Sequence, residues 1–205
     1  MFEQFTLPGF DGAQPGAPAS AKATEKSPRG RAPYSLFFSI FPDADVAKAI
    51  AIQVAHLGRA HGLVGQPLLA HRLHVTLHDL GGYAELPPDI VKTARVAGDA
   101  VAARVFDVVF DHAMSFPSSG TYVLCGGAGA AQLAAFRQSL GQAMGHAGLM
   151  VKRSFTPHMT VLYDRHPIAE HAIEPITWAA KEFVLINSHV GKGVHEVLGR
   201  WSLRA

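Results

Sequence analysis

Between residues 34 and 41 the run YSLFFSIF is almost wholly aromatic and aliphatic and stops at Pro42, the pattern of a buried strand. Asp43 is placed to cap a helix, and Val46, Ile50, Val54 and Leu57 recur at helical spacing before Gly58 and Gly62 mark its end. After a loop holding Pro67, residues 73 to 78 alternate Leu, His, Val, Thr, Leu, His, which predicts a short strand ending before Gly81 and Gly82. Pro87, Pro88 and Asp89 then open a second helix, with Ile90, Val91, Ala94, Val101 and Val105 as its apolar stripe.

Residues 106 to 116 and 121 to 125 read as two strands separated by the turn formers Pro117, Ser118, Ser119 and Gly120. A third helix follows Gly126 to Gly129, carrying Leu133, Phe136, Leu140 and Met144 and ending at Gly145 and Gly148. Residues 159 to 163 read as a strand, and residues 183 to 190 with 194 to 203 as a hairpin turned at Gly191, Lys192 and Gly193. Strands are grouped rather than alternating one-for-one with helices, which predicts an α+β fold. Residues 8 to 33, rich in Pro, Gly, Ala and Ser, show neither helical nor strand periodicity. The expected organisation is a flexible tail over residues 1–33 and a single domain over residues 34–205.

Composition narrows the class. Hydrophobic residues make up 48% of the 205 and charged residues 17%, an ordinary globular balance. The formal charge is only +2, so no global field holds long nucleic acid nonspecifically, and any RNA contact must be local. The one cysteine, Cys125, lies in an apolar run and cannot form an internal disulfide, which fits a reducing cytoplasm. No apolar stretch approaches the roughly 20 residues of a membrane helix, so no membrane association is expected. Histidine stands out at 12 residues, because imidazole titrates near neutrality.

Two copies of a His-x-Thr-aliphatic pattern occur, His74-Val75-Thr76-Leu77 and His158-Met159-Thr160-Val161. Chance supplies roughly one His-x-Thr in two chains of this composition, so weight comes from the matched setting: both lie in apolar strands, one in each half of the chain. Residues two apart on a strand share a face, so each motif presents an imidazole beside a hydroxyl. Two imidazoles across a cleft suit in-line displacement at phosphorus, one taking a proton from the attacking oxygen and the other giving one to the leaving oxygen. Thr76 and Thr160 hydroxyls would stabilise charge on the nonbridging oxygens. No metal is required. A rival reading gathers zinc on His71, His74 and His78 as a metallohydrolase, against which Val75 and Thr76 favour a strand and no HExxH pattern occurs. A noncatalytic binder of RNA ends is the other rival.

These motifs, with YSLFFSIFPD (34–43), HRLHVTL (71–77), SFTPHMTVLYD (154–164) and EFVLINSHVGKGVHEVLGRWSL (182–203), make the chain from about residue 34 to 204 resemble the RNA 2′,3′-cyclic phosphodiesterase (2′-5′ RNA ligase) family of the 2H phosphoesterases. The resemblance implies a bilobal, pseudo-twofold fold with antiparallel-rich sheets lining a central cleft and helices outside. It also implies no cofactor, hydrolysis of 2′,3′-cyclic phosphate ends to 2′-phosphates, possible reversible 2′-5′ ligation, and a cytoplasmic protein acting on an RNA terminus or a small cyclic-phosphate nucleotide. A monomer without an obligatory protein partner is expected. His74 is then the acid of hydrolysis and His158 the base. Relatives often carry an aromatic three residues after the first Thr and an Arg three after the second; here Asp79 and Tyr163 stand there. Tyr163 could stack on a base, Arg153 or Arg165 could supply a cation, and Phe37 could floor the cleft.

Overall fold

The computed structural model describes residues 32–116, 118–127, 130–152 and 156–205. The expected tail, Arg153 and the turn residue Pro117 therefore fall outside the described residues, apart from the tail's last two positions. Eleven principal elements follow in order: β1 (Tyr34–Ile40), α1 (Ala44–Ala60), β2 (Val75–Tyr83), α2 (Pro88–Asp99), β3 (Phe106–Phe116), β4 (Thr121–Cys125), α3 (Ala131–His146), β5 (His158–Tyr163), β6 (His171–Ala180), β7 (Glu182–His189) and β8 (Val194–Ser202). A 3-10 turn, Ala70–Arg72, leads into β2. No helix among the described residues is long and apolar enough to cross a membrane.

The eight strands form one antiparallel sheet in the order β6-β3-β4-β5-β2-β1-β7-β8. From its centre outward the order is β2, β1, β7, β8 on one side and β5, β4, β3, β6 on the other. Each central strand follows its outer neighbour in sequence through a helix, β1-α1-β2 and β4-α3-β5, which gives the expected two pseudo-symmetric lobes. Among the described strands the lobes' sheets meet at one residue pair, Val75 with Met159, with isolated bridges Pro67–Leu162 and Arg104–Arg204 outside the strands.

So thin a seam is reinforced by helices that cross it. Gly58 of α1 lies against Leu162 of β5, and Gln53 Nε2 donates to the Glu174 carbonyl of β6 (3.0 Å). In the other direction Gly141 of α3 lies against His78 of β2, Arg137 Nε donates to the Leu77 carbonyl (3.0 Å), and Phe136 packs edge-on against Phe183 of β7. Burying these helix stripes against one sheet face forms the main core, which includes Phe38, Leu73, Val75, Leu77, Leu133, Leu140, Met159, Val161 and Leu185. The opposite face carries a small cluster of Phe37, Val184 and Ile186, with Phe41 against it.

Several expectations are corrected. Asp43 sits at the start of α1, but its carboxylate makes no cap bond and instead accepts from Lys181 Nζ at 2.7 Å. Gly58 does not stop α1, because its missing side chain is used for contact with β5; Gly62, at φ 65°, follows the helix end. Val101 and Val105 lie beyond α2, whose buried positions are Ala94, Ala97 and Gly98. β2 continues through Gly81 and Gly82 to Tyr83, its register with β1 shifting twice. β6 was not anticipated, and it contains Pro175; β6 is the sheet's edge, where a proline's missing N–H leaves no bond unmade, and its register with β3 is interrupted in that region.

Gly98 is where α2 meets β8. Trp201 Nε1 donates to Asp99 Oδ1 at 2.7 Å, and the indole ring occupies the space a Cβ at position 98 would need. Gly98→Ala is expected to lower stability by about 1–3 kcal/mol through overpacking, despite the better helix former. Gly145→Ala, in the last turn of α3 with open space around it, should be neutral or stabilising by up to ~1 kcal/mol. Urea unfolding of the two variants checks the contrast.

Candidate active site

The alternation that buries Leu73, Val75 and Leu77 turns His74 and Thr76 to the opposite sheet face, and burial of Met159 and Val161 does the same for His158 and Thr160. All four outward residues are half-buried. Val75 faces Met159 in the antiparallel pair, so continuing that register by one residue sets Thr76 across from His158 and His74 across from Thr160. Facing side chains in such a pair begin about 4.5–5.5 Å apart and diagonal ones roughly 7–8 Å apart. The lobe boundary thus carries a four-cornered group, with the histidines on one diagonal and the threonines on the other.

The two histidines are oriented by the same local device. His74 Nδ1 is 2.7 Å from the Arg72 carbonyl and His158 Nδ1 is 2.7 Å from the Thr156 carbonyl, in each case the residue two positions earlier. A carbonyl only accepts, so each Nδ1 carries the hydrogen, and the neutral ring presents a bare Nε2 lone pair. Phe37 stacks on His74 (centroids 5.3 Å, interplanar 17°), with Phe41 beside it at 5.5 Å, so Phe37 is the floor beneath His74. Phe38 faces the helical core instead. Phe116 meets His158 edge-on at 5.0 Å.

His195 of β8 is a site neighbour that sequence reasoning missed. Its ring meets His74 edge-on (5.2 Å, 87°) and approaches Phe37 and Phe41, and its Nδ1 is buried with no hydrogen-bond partner among the described residues. Burial, reinforced by the positive charges of His74, Arg72 and His71, pushes the His195 pKa down to about 4. His74 is also lowered, first by burial and then by the charges of Arg72 and His158; the Arg72 carbonyl bond works in the opposite direction. Only the abundance of histidine, twelve in the chain, hinted at a third ring here; local pattern could not place β8 against β2.

Register shifts place the residues that follow each motif. Phe38 pairs with His78 and Ser39 with Thr76, which leaves Leu77 as an extra residue in β2; Val161 is the extra residue in β5. Both Leu77 and His78 therefore turn to the helical side, where His78 Nε2 is 2.9 Å from the Arg137 carbonyl, and Asp79 returns to the face of Thr76. Asp79 is engaged by Lys152 at 2.5 Å. Likewise Val161 and Leu162 are both buried and Tyr163, 57% exposed, returns to the face of Thr160.

Tyr163 and Arg165 line a cavity of about 840 Å³ with Val64, Gly65, Ser118, Ser119, Gly120 and Asp164. Asp164 braces its rim by accepting from the Val64, Gly65 and His166 N–H groups at 2.8–2.9 Å, bonds that hold its carboxyl below the usual range. His71, His74 and His78 do not converge: the first is in the 3-10 turn and the other two occupy opposite sheet faces. Among the described residues no group of three or more His, Cys, Asp or Glu is arranged to hold a metal ion.

The fold and site now have relatives. The crystal structure of E. coli LigT complexed with ATP has a TM-score of 0.66 and 24% identity over 84% of this chain and 99% of that one. A crystal structure described as a phosphoesterase gives 0.64 and 26% over 84% and 100%. E. coli LigT complexed with 3′-AMP gives 0.62 and 26% over 84% and 99%. Among curated protein sequences none matches. The sequence pattern of the 2′-5′ RNA ligase superfamily matches residues 42–192, a span that includes both His-x-Thr motifs. This chain belongs to the 2′-5′ RNA ligase superfamily and is an enzyme of the 2H phosphoesterase and ligase kind.

Proposed function

We propose that the protein is a metal-independent phosphoesterase that opens 2′,3′-cyclic phosphates on RNA ends or nucleotides to 2′-phosphates, with 2′-5′ ligation as the reverse reaction. The observation that carries this reading is the Val75–Met159 pair at the lobe boundary, whose register sets each motif's imidazole across from the other's hydroxyl, while a carbonyl holds each Nδ1 and leaves Nε2 of the neutral ring as the proton acceptor. Diagonal positions of an antiparallel pair stand roughly 7–8 Å apart, the scale on which two side chains can flank one anion. E. coli LigT, a relative of known structure, has been crystallised with 3′-AMP and with ATP, both ribose phosphates.

In hydrolysis one neutral imidazole takes a proton from water as its oxygen attacks phosphorus. The bond from phosphorus to the ribose 3′ oxygen breaks, and the other, charged imidazole gives that oxygen its proton. The product keeps its phosphate on the 2′ oxygen. Thr76 and Thr160 hydroxyls donate to the nonbridging oxygens. Ligation exchanges the roles, with an RNA 5′ hydroxyl entering in place of water. Both motifs belong to one chain, so a monomer suffices to complete the site. Tyr163 and Arg165 serve the nucleotide from the β5 side, Arg153 is a further candidate cation for it, and Phe37 keeps His74 upright.

Family resemblance gives His74 the acid role in hydrolysis. The walls around it support the reverse: burial and neighbouring cations keep it neutral in the free protein, which is the state a base needs. His158, across the seam, then supplies the proton.

Turnover of a nucleoside 2′,3′-cyclic phosphate by His74→Ala and by His158→Ala is expected to fall at least ~100-fold in each case, the scale of one proton-transfer group. Rates near wild type in both variants would overturn the mechanism. The pH dependence follows from the direction of the His74 shift. A base with a depressed pKa stays active until the pH falls through that depressed value, so the acid limb of kcat/KM should lie below the ordinary imidazole pKa of about 6.5. An acid limb at or above that value would return the base role to His158.

A further inference from the structure

Beyond His74, along the same face, Arg72 is a cation that the chemistry above does not use. Its main chain is committed, since its carbonyl accepts from His74 Nδ1 and its N–H donates to the Leu69 carbonyl at 2.8 Å. Its guanidinium is not. Among the described residues Arg72 makes no ion pair, and its Nε is buried without a hydrogen-bond partner. An arginine in that state costs free energy unless an acceptor arrives, because a guanidinium N–H removed from water has lost its solvation.

The surroundings make the acceptor an anion. A side-chain carbon at Gly193 would lie 3.7 Å from Arg72 Nη1, so the guanidinium rests against the β7–β8 turn, where Gly191 (φ 81°) and Gly193 (φ 69°) flank the exposed Lys192. His195, from the strand that leaves this turn, packs against His74, and His71 is the other neighbour of Arg72 in the 3-10 turn. The acidic groups of these elements are spent elsewhere: Glu196 accepts from Asn187 and sits beside His189, Asp79 holds Lys152, and Asp43 holds Lys181. The result is a positive rim on the His74 side with no counter-charge among the described residues.

Distance separates this rim from the reacting phosphate. Residues two apart on an extended chain are about 6 to 7 Å apart, so Arg72 stands one step beyond His74 and away from the Thr76–His158 side. One nucleotide of backbone covers a comparable reach. We propose that Arg72, backed by Lys192 and the His195 ring, forms a second phosphate subsite, one that takes the phosphate of the nucleotide preceding a 2′,3′-cyclic end. This rests on the phosphoesterase reading and specifies its substrate class: RNA ends with an internal phosphate are favoured over lone cyclic mononucleotides.

The comparison is between adenosine 2′,3′-cyclic phosphate and the dinucleotide ApA ending in the same cyclic phosphate, assayed with wild type, Arg72→Gln and Arg72→Lys. Wild type should favour the dinucleotide. Arg72→Gln should lower kcat/KM for the dinucleotide about tenfold more than for the mononucleotide, chiefly through KM, and Arg72→Lys should recover part of the difference. The slope of log affinity against log salt for the dinucleotide should also shrink by about 0.7 in Arg72→Gln, a change that a merely structural role would not produce. Equal losses on both substrates, or none on either, would overturn the subsite. Calorimetric titration with 2′-AMP and with ApA carrying a 2′-phosphate reads the same discrimination without turnover. Absence of hydrolysis by wild type would therefore defeat the phosphoesterase reading alone.

Discussion

The pairing of Val75 with Met159 is the constraint on which this site depends. Among the described strands it is the one ladder pair through which the two four-stranded halves of the sheet meet, and both partners are fully buried. Because side chains alternate along a strand, fixing those two inward fixes His74, Thr76, His158 and Thr160 outward. A register slip of one residue would send the imidazoles into the core and the aliphatic residues into the site. Packing of the core and placement of the candidate site residues are therefore one specification.

A single pair cannot hold two lobes by itself. The structure supplies the remainder through exchange: α1 leaves the β1 side and packs on β5 and β6, while α3 leaves the β4 side and reaches β2 and β7. Each lobe closes the other, so the lobe boundary lies over a continuous core even though its hydrogen-bonded seam is short. Doublets of buried residues after each motif, Leu77 with His78 and Val161 with Leu162, belong to the same design. Each extra residue returns the next position, Asp79 or Tyr163, to the face of the threonines. The two lobes share the backbone device and differ in the side chain it presents, an acidic group tied to Lys152 in one and an exposed phenol in the other.

Much of this was legible in the sequence because it is local. Strand alternation around the two motifs, the helical stripes of α1 and α3, and the glycine turn between β7 and β8 are each written in short windows. What failed was context. β6 was missed and contains Pro175, which an edge strand tolerates, and β2 was cut short at glycines that are part of a bulged strand. Of the eight residues expected to act, His74, Thr76, His158, Thr160 and Phe37 come together, Tyr163 and Arg165 line a separate cavity, and Arg153 lies outside the described residues. His195 and Arg72 went unnoticed because only the tertiary fold brings the β7–β8 hairpin to the His74 end; nothing within either segment encodes the meeting.

The central claim is that two imidazoles from different lobes share one phosphate. Histidine-selective nuclear magnetic resonance during titration with 2′-AMP tests it most directly. The account predicts that the His74 and His158 ring signals, assigned through the single alanine variants, move together along one binding curve of unit stoichiometry. Movement of only one of them, or separate curves for the two, would contradict it.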